Sequence, residues 1–166
     1  MERVLIIGCS GAGKSTLARA LSEKMMIPAV HLDKLWWRDN WEHIPREEFD
    51  ERLAREMEKD KWILDGDYSR TLPVRLARCD TVIYLDFNRF ICLKGAVKRV
   101  ISHYGKTRPD MGGNCRERFD WHFLAWIWNY NKRNRRRNYE LLDAQKDKTV
   151  IIFKTHRQVR KWLAGI

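Results

Sequence analysis

The chain lacks the features of a membrane protein or of one stapled by disulfides or metal. No apolar run approaches the roughly 20 residues that span a bilayer. The apolar stretch Val4-Leu5-Ile6-Ile7 near the start is too short for a signal peptide. A cytoplasmic setting without membrane attachment is therefore expected. The four cysteines, Cys9, Cys79, Cys92 and Cys115, form no C-x-x-C pair, and no histidine stands at zinc-ligand spacing from them, so neither a disulfide framework nor a zinc site is expected. At Cys9 a helix N-terminus is expected to lower the thiol pKa. Repeats, Ser/Gly-rich linkers and low-complexity tracts are absent too. Acidic residues are few: 22 Asp and Glu against 33 Lys and Arg leave a formal charge of +11. Such a surplus attracts polyanions, either nucleic acid or the phosphates of a small nucleotide, and most of it falls between Arg89 and Arg137.

What is present fits one globular domain. At 166 residues, 44% of them hydrophobic, the chain can bury a substantial core, and a single domain over residues 1–166 is expected. Short continuous apolar runs at 4–7, 28–32, 62–64, 81–85 and 149–153 read as buried parallel strands. Helical patterns at 11–24, after Pro45, and at 90–103, 118–142 and 156–163 alternate with them. The alternation predicts an α/β fold with a five-stranded parallel sheet, ligands binding at the carboxyl ends of the strands. Residues 34–60 form a substrate-side helical insert, and the glycine- and proline-bearing stretch at about 104–118 reads as a lid.

Gly8-Cys9-Ser10-Gly11-Ala12-Gly13-Lys14-Ser15 satisfies G-x-x-x-x-G-K-[ST] at every position, after a strand and before a helix. The glycines let successive backbone N–H groups converge on one anion, to which the helix N-terminus adds its positive end. Lys14 can reach the terminal phosphates, the Ser15 hydroxyl can ligate Mg²⁺, and Thr16 extends the turn. The cofactor-binding set is thus Gly8, Ser10, Gly11, Ala12, Gly13, Lys14, Ser15 and Thr16. Asp65, ending the third strand, is the candidate second partner of the metal, with Asp86 competing for the role.

Asp65-Gly66 after an apolar strand resembles the D-G-x-P-R element of the nucleoside-monophosphate kinases, such as adenylate kinase. Here the string is Asp65-Gly66-Asp67-Tyr68-Ser69-Arg70, without the proline and with the arginine one residue later. A resemblance over nearly the whole chain is to the small adenylate-kinase-related proteins called DNA topology modulation (FlaR-type) proteins. It is carried by His31-Leu32-Asp33 with nearby tryptophans, Asp65-Gly66-Asp67-Tyr68, Thr107-Arg108-Pro109-Asp110-Met111 and Arg118-Phe119-Asp120-Trp121. The resemblance implies a P-loop kinase fold, with ATP and Mg²⁺ as cofactors. It further implies an acceptor side at Asp33, Trp36, Trp37, Tyr68 and Arg70, with Asp33 ending the second strand and holding or deprotonating the acceptor hydroxyl. The cluster Trp36, Trp37 and Trp41 reads equally as a stacking wall or as a hydrophobic cover on the core.

A lid that closes can bring guanidinium groups onto the transferred phosphoryl oxygens. Arg99 and Arg108 are the main candidates, with Arg116, Arg118 and Arg133 behind them. Lys132, Arg133, Arg135, Arg136 and Arg137 share one helix with Trp121, Trp126, Trp128 and Tyr130. Either this is a nucleic-acid face, or the aromatics Phe119, Phe123, Trp126 and Tyr130 pack inward and leave the arginines to solvent or phosphates. The expected activity is ATP-dependent phosphoryl transfer, with catalytic roles for Lys14, Asp33, Arg99 and Arg108. The expected partner is a small acceptor: a nucleotide, a nucleoside or a related metabolite. A nucleotide-dependent DNA- or RNA-associated regulator is the alternative. A guanine-reading N-K-x-D element is missing, since Asn131-Lys132-Arg133-Asn134 lacks the aspartate.

Overall fold

A computed structural model describes residues 1–166. The five strands are β1 (Arg3–Gly8), β2 (Ala29–His31), β3 (Trp62–Asp65), β4 (Thr81–Leu85) and β5 (Thr149–Phe153). They form one parallel sheet in the order β2-β3-β1-β4-β5. Alternation along β1 splits the core. Val4 and Ile6 face one layer, with Leu17 and Leu21 of α1 (Lys14–Met25) and Cys92 and Ala96 of α5 (Arg89–His103). Leu5 and Ile7 face the other, with Phe49 and Leu53 of α3 (Arg46–Met57) and Leu72 and Leu76 of α4 (Leu72–Arg78). Each such leucine or phenylalanine contributes roughly 1.5–3 kcal/mol by leaving water. β1 lies between β3 and β4, so the chain leaves the sheet centre in both directions and opens a cleft at the carboxyl ends.

Two helices frame that cleft from outside the sheet. The short α2 (Leu32–Trp36) follows β2 without a break. α6 (Trp121–Asp143) begins at the Asp120 cap, whose carboxylate accepts from Phe123 N at 3.1 Å, and runs for about 35 Å. Its Ile127 and Tyr130 join the first core layer and Leu142 the second, so it braces both. α7 (His156–Ala164) closes the chain with a Thr155/Gln158 capping box. No helix is long and apolar enough to cross a membrane.

Several boundaries differ from the sequence reading. α1 begins at Lys14 instead of residue 11, because Gly11 (φ 81°) and Gly13 (φ 93°) take left-handed backbone that belongs to the loop. The second strand stops at His31, which places Asp33 in the first turn of α2 and not at a strand end. α6 starts at Trp121, three residues later than expected.

Candidate active site

The P-loop turns on itself, with Ala12 N donating to Cys9 O at 3.2 Å and Lys14 Nζ folded back onto the same carbonyl at 3.0 Å. It is pressed against α5 more closely than a side chain permits. A Cβ on Gly95 would lie 2.1 Å from Gly11 O, and one on Gly11 would lie 2.1 Å from Cys92 O. This packing requires bare backbone at both positions. Contact with Cys92, and then burial, push the Cys9 thiol up. The helix terminus therefore does not activate it as expected.

A cleft of about 970 Å³ opens over the loop, lined at one end by Ser10, Gly11, Gly13, Lys14, Ser15 and Thr16. Gly8 and Ala12 lie behind it, Ala12 buried and Gly8 packed on Leu85. Asp33, Trp36, Trp37, Trp41 and Tyr68 line its other end, and Asp65 and Asp67 stand between them and the loop. Tyr68 Oη donates to Asp33 Oδ1 at 2.7 Å. Burial raises the Asp33 carboxyl above its usual range, against the pull of Tyr68, Arg108 and Lys14. Burial likewise raises Asp67, which Lys14 opposes and which accepts from Tyr130 Oη at 2.5 Å. Asp65 is buried and held by His31 Nδ1 at 2.6 Å. Asp86, its rival for the metal, lies outside the cleft under Arg135 and Tyr139, at 2.7 and 2.8 Å.

Residues 104–118 line the cleft through Arg108, Pro109, Asp110, Glu117 and Arg118 and are cross-linked by the bridges Tyr104↔Glu117 and Thr107↔Arg116. Arg108 Nη1 meets Asp110 at 2.7 Å, and its Nε meets Glu117 at 2.5 Å. Arg99 reaches the same Glu117 at 3.4 Å and donates to Ser10 Oγ at 3.1 Å. One buried carboxylate therefore spaces the two arginines above the P-loop. Burial works to raise Asp110, but Arg108, its own backbone N–H and the Ser15 hydroxyl outweigh it and hold the carboxyl below its usual range.

Segment 104–118 packs on residues 38–41. Asn114 N donates to Asp39 Oδ1 at 2.6 Å, Cys115 Sγ to Arg38 O at 2.9 Å, and Trp41 Nε1 to Arg116 O at 3.0 Å. Trp36 stacks on His43, with Phe49 and Tyr68 at its edges, while Trp37 meets Trp41 edge-on at 5.6 Å. Trp36 thus belongs to both readings, as cover on the core and as cleft wall.

Some expected site residues lie elsewhere. Arg70 does not line the cleft but forks onto Asp50 at 2.6 and 2.8 Å on the outer surface. Arg118 lines the cleft and is exposed, whereas Arg116 and Arg133 are exposed and stand outside it. Phe119, Phe123 and Trp126 line the cleft, with Phe119 46% and Trp126 38% exposed, so of the four expected inward aromatics only Tyr130 is fully buried. In the basic run, Arg135 holds Asp86, Arg136 holds Glu140, and Arg137 donates to Ser69 O. His31, Asp67, Asp110 and Glu117 are functional candidates that the sequence reading left without roles.

A protein-family comparison matches residues 4–108 to an AAA domain. The chain belongs to that AAA-domain family. YqaC, an uncharacterised protein of Bacillus subtilis (strain 168), is 30% identical over 137 residues, which are 78% of this chain and 73% of that protein. Among solved structures, shikimate kinase from Acinetobacter baumannii in complex with shikimate superposes with a TM-score of 0.64 at 16% identity, covering 99% of this chain and 90% of that one. Shikimate kinase from Bacteroides thetaiotaomicron gives 0.59 at 16% identity, covering 99% and 95%. At that identity the likeness is one of fold: a P-loop NTPase with a five-stranded parallel sheet flanked by helices.

Proposed function

We propose that the protein is an ATP-dependent small-molecule kinase, a single domain over residues 1–166 with an acceptor-side insert at about 34–60 and a lid at about 104–118. The observation that carries this is the shared cleft, which has Lys14 and Ser15 at one end, Asp33 with Tyr68 at the other, and Arg99 and Arg108 above. The loop fits a triphosphate, since its left-handed glycines leave room for backbone N–H groups to face an anion. Lys14 lacks a carboxylate partner and is free to exchange the Cys9 carbonyl for phosphate oxygens. Ser15, with Asp65 acting through water, would hold Mg²⁺, which when bound screens the charge on the phosphates.

Each side chain then has one task. Asp33, oriented by the Tyr68 hydroxyl, accepts a hydrogen bond from the acceptor hydroxyl and aligns it, and its raised pKa suits it to take the proton. Lys14, Arg99 and Arg108 stabilise charge on the phosphoryl oxygens. The docked lid excludes water that would otherwise compete as acceptor. Lys14→Ala should lose ATP binding by calorimetry and reduce transfer at least about 100-fold, with an unchanged circular dichroism spectrum. Full transfer by a folded Lys14→Ala protein would sink the reading.

A further inference from the structure

The acceptor end of the cleft is acidic, and the cations around it are already engaged. Asp33 follows β2 into that end, beside the Trp37–Trp41 wall, while Asp65, held by His31, and Asp67, close to Lys14, stand between it and the P-loop. Arg70 is spent on Asp50, and Arg38 on Glu48 at 2.8 Å. Arg75 is fully buried beneath the floor, donating to Gly66 O at 2.9 Å and Tyr68 O at 2.6 Å. Lys34 is exposed and outside the cleft lining. From above, Arg108 is matched by both Asp110 and Glu117. Of the lining cations without a carboxylate partner, Lys14 belongs to the P-loop, and Arg19, Lys98 and Arg118 stand on α1, on α5 and at the end of segment 104–118.

A phosphate or carboxylate at the acceptor end would lose its water beside the Asp33 carboxylate, where the nearby Arg108 guanidinium is already shared between Asp110 and Glu117. Hydroxyl groups meet the opposite situation, since carboxylate oxygens are strong acceptors and Asp33 uses only one of its oxygens on Tyr68. Resting on the kinase reading above, we infer that the acceptor is an uncharged hydroxylated ring compound, a nucleoside or cyclic polyol by chemistry, and not a nucleotide or a sugar acid. The acceptor oxygen bonds the γ-phosphorus of ATP, the bond to the bridging oxygen of the departing ADP breaks, and the hydroxyl proton passes to Asp33.

Matched pairs test this in the full chain with ATP and Mg²⁺. Each nucleoside is set against its 5′-monophosphate, and each cyclic polyol against its carboxylated counterpart. ADP release is followed together with phosphorus NMR of the product. At least one uncharged member should be phosphorylated with kcat/KM roughly 100-fold above its anionic match. Equal or better transfer to a monophosphate or carboxylate overturns the inference and leaves the kinase reading standing. If calorimetry shows ATP binding yet neither member of any pair accepts, the inference is overturned. Failure of ATP to bind removes the kinase reading and the inference with it.

Discussion

At Asp33, burial raises the carboxyl pKa while the Tyr68 hydroxyl, Arg108 and Lys14 draw it down, and burial prevails. An acid raised in this way binds more protons folded than unfolded. Its contribution to stability is complete below the unfolded value near 3.8 and is lost as pH rises through the higher folded value. Asp33→Asn keeps an acceptor for Tyr68 and removes the cost of the buried charge. The variant should therefore be more stable than the parent to urea at pH 8, and this advantage should vanish at pH 4. Transfer should fall by about 10²–10⁴-fold for want of a base, and the parent's own activity should fall as pH drops through the raised pKa. Equal activity in the two proteins would remove Asp33 from the chemistry. Lys14 and Asp33 were visible in the sequence because each follows a strand-like run within a short string. Asp67 and Glu117 were not, because their partners Tyr130 and Arg108 are brought to them only by the packing of α6 and the folding back of the lid. Arg70 misled for the complementary reason: its motif neighbours are local, but the partner it found is on α3.

The lid and the segment after α2 act as one element. Gly112 lies so close that a Cβ would stand 2.2 Å from Trp37 O and 2.7 Å from Lys34 O, both rigid backbone atoms. Gly112→Ala must therefore lift the lid, at a cost of about 1–3 kcal/mol in overpacking. The bonds from Asn114 to Asp39 and from Trp41 to Arg116 should loosen with it. The expected outcome is faster proteolytic cleavage within 104–118 and a lower kcat for transfer, with more ADP released to water, because Arg108 no longer sits over the P-loop. Unchanged proteolysis and coupling would show that this docking is dispensable. The segment 104–118 was legible as an interruption of the strand–helix rhythm. Its docking partner was not, since α2 has five residues, too few to display a helical period. The long helices and the buried strands were legible because their periods are sustained, and the departures at α1 and α6 sit at ends set by glycine backbone and by the Asp120 cap.

Across the whole molecule, the charge of +11 and the acidic acceptor end are not in conflict, because the two signs are sorted along the cleft. Arg19, Lys98 and Arg118 are exposed on its lining, while Asp33 lies at its acceptor end. The exposed cations form a field that concentrates a polyanion at the mouth and is weakened by salt, whose screening length shrinks from about 10 Å at 0.1 M to about 3 Å at 1 M. A triphosphate should feel that field, and an uncharged acceptor should not. Raising ionic strength ten-fold should therefore raise KM for ATP several-fold while leaving KM for the acceptor within about two-fold. Neutralising the rim in an Arg19→Gln, Lys98→Gln double variant should flatten the ATP dependence and leave the acceptor untouched. The two substrates thus report on two electrostatic compartments of one cleft. A parallel rise in both KM values would mean that the acceptor is drawn in by the same positive field, and the sorting of charge along the cleft would then have no bearing on which acceptor the protein selects.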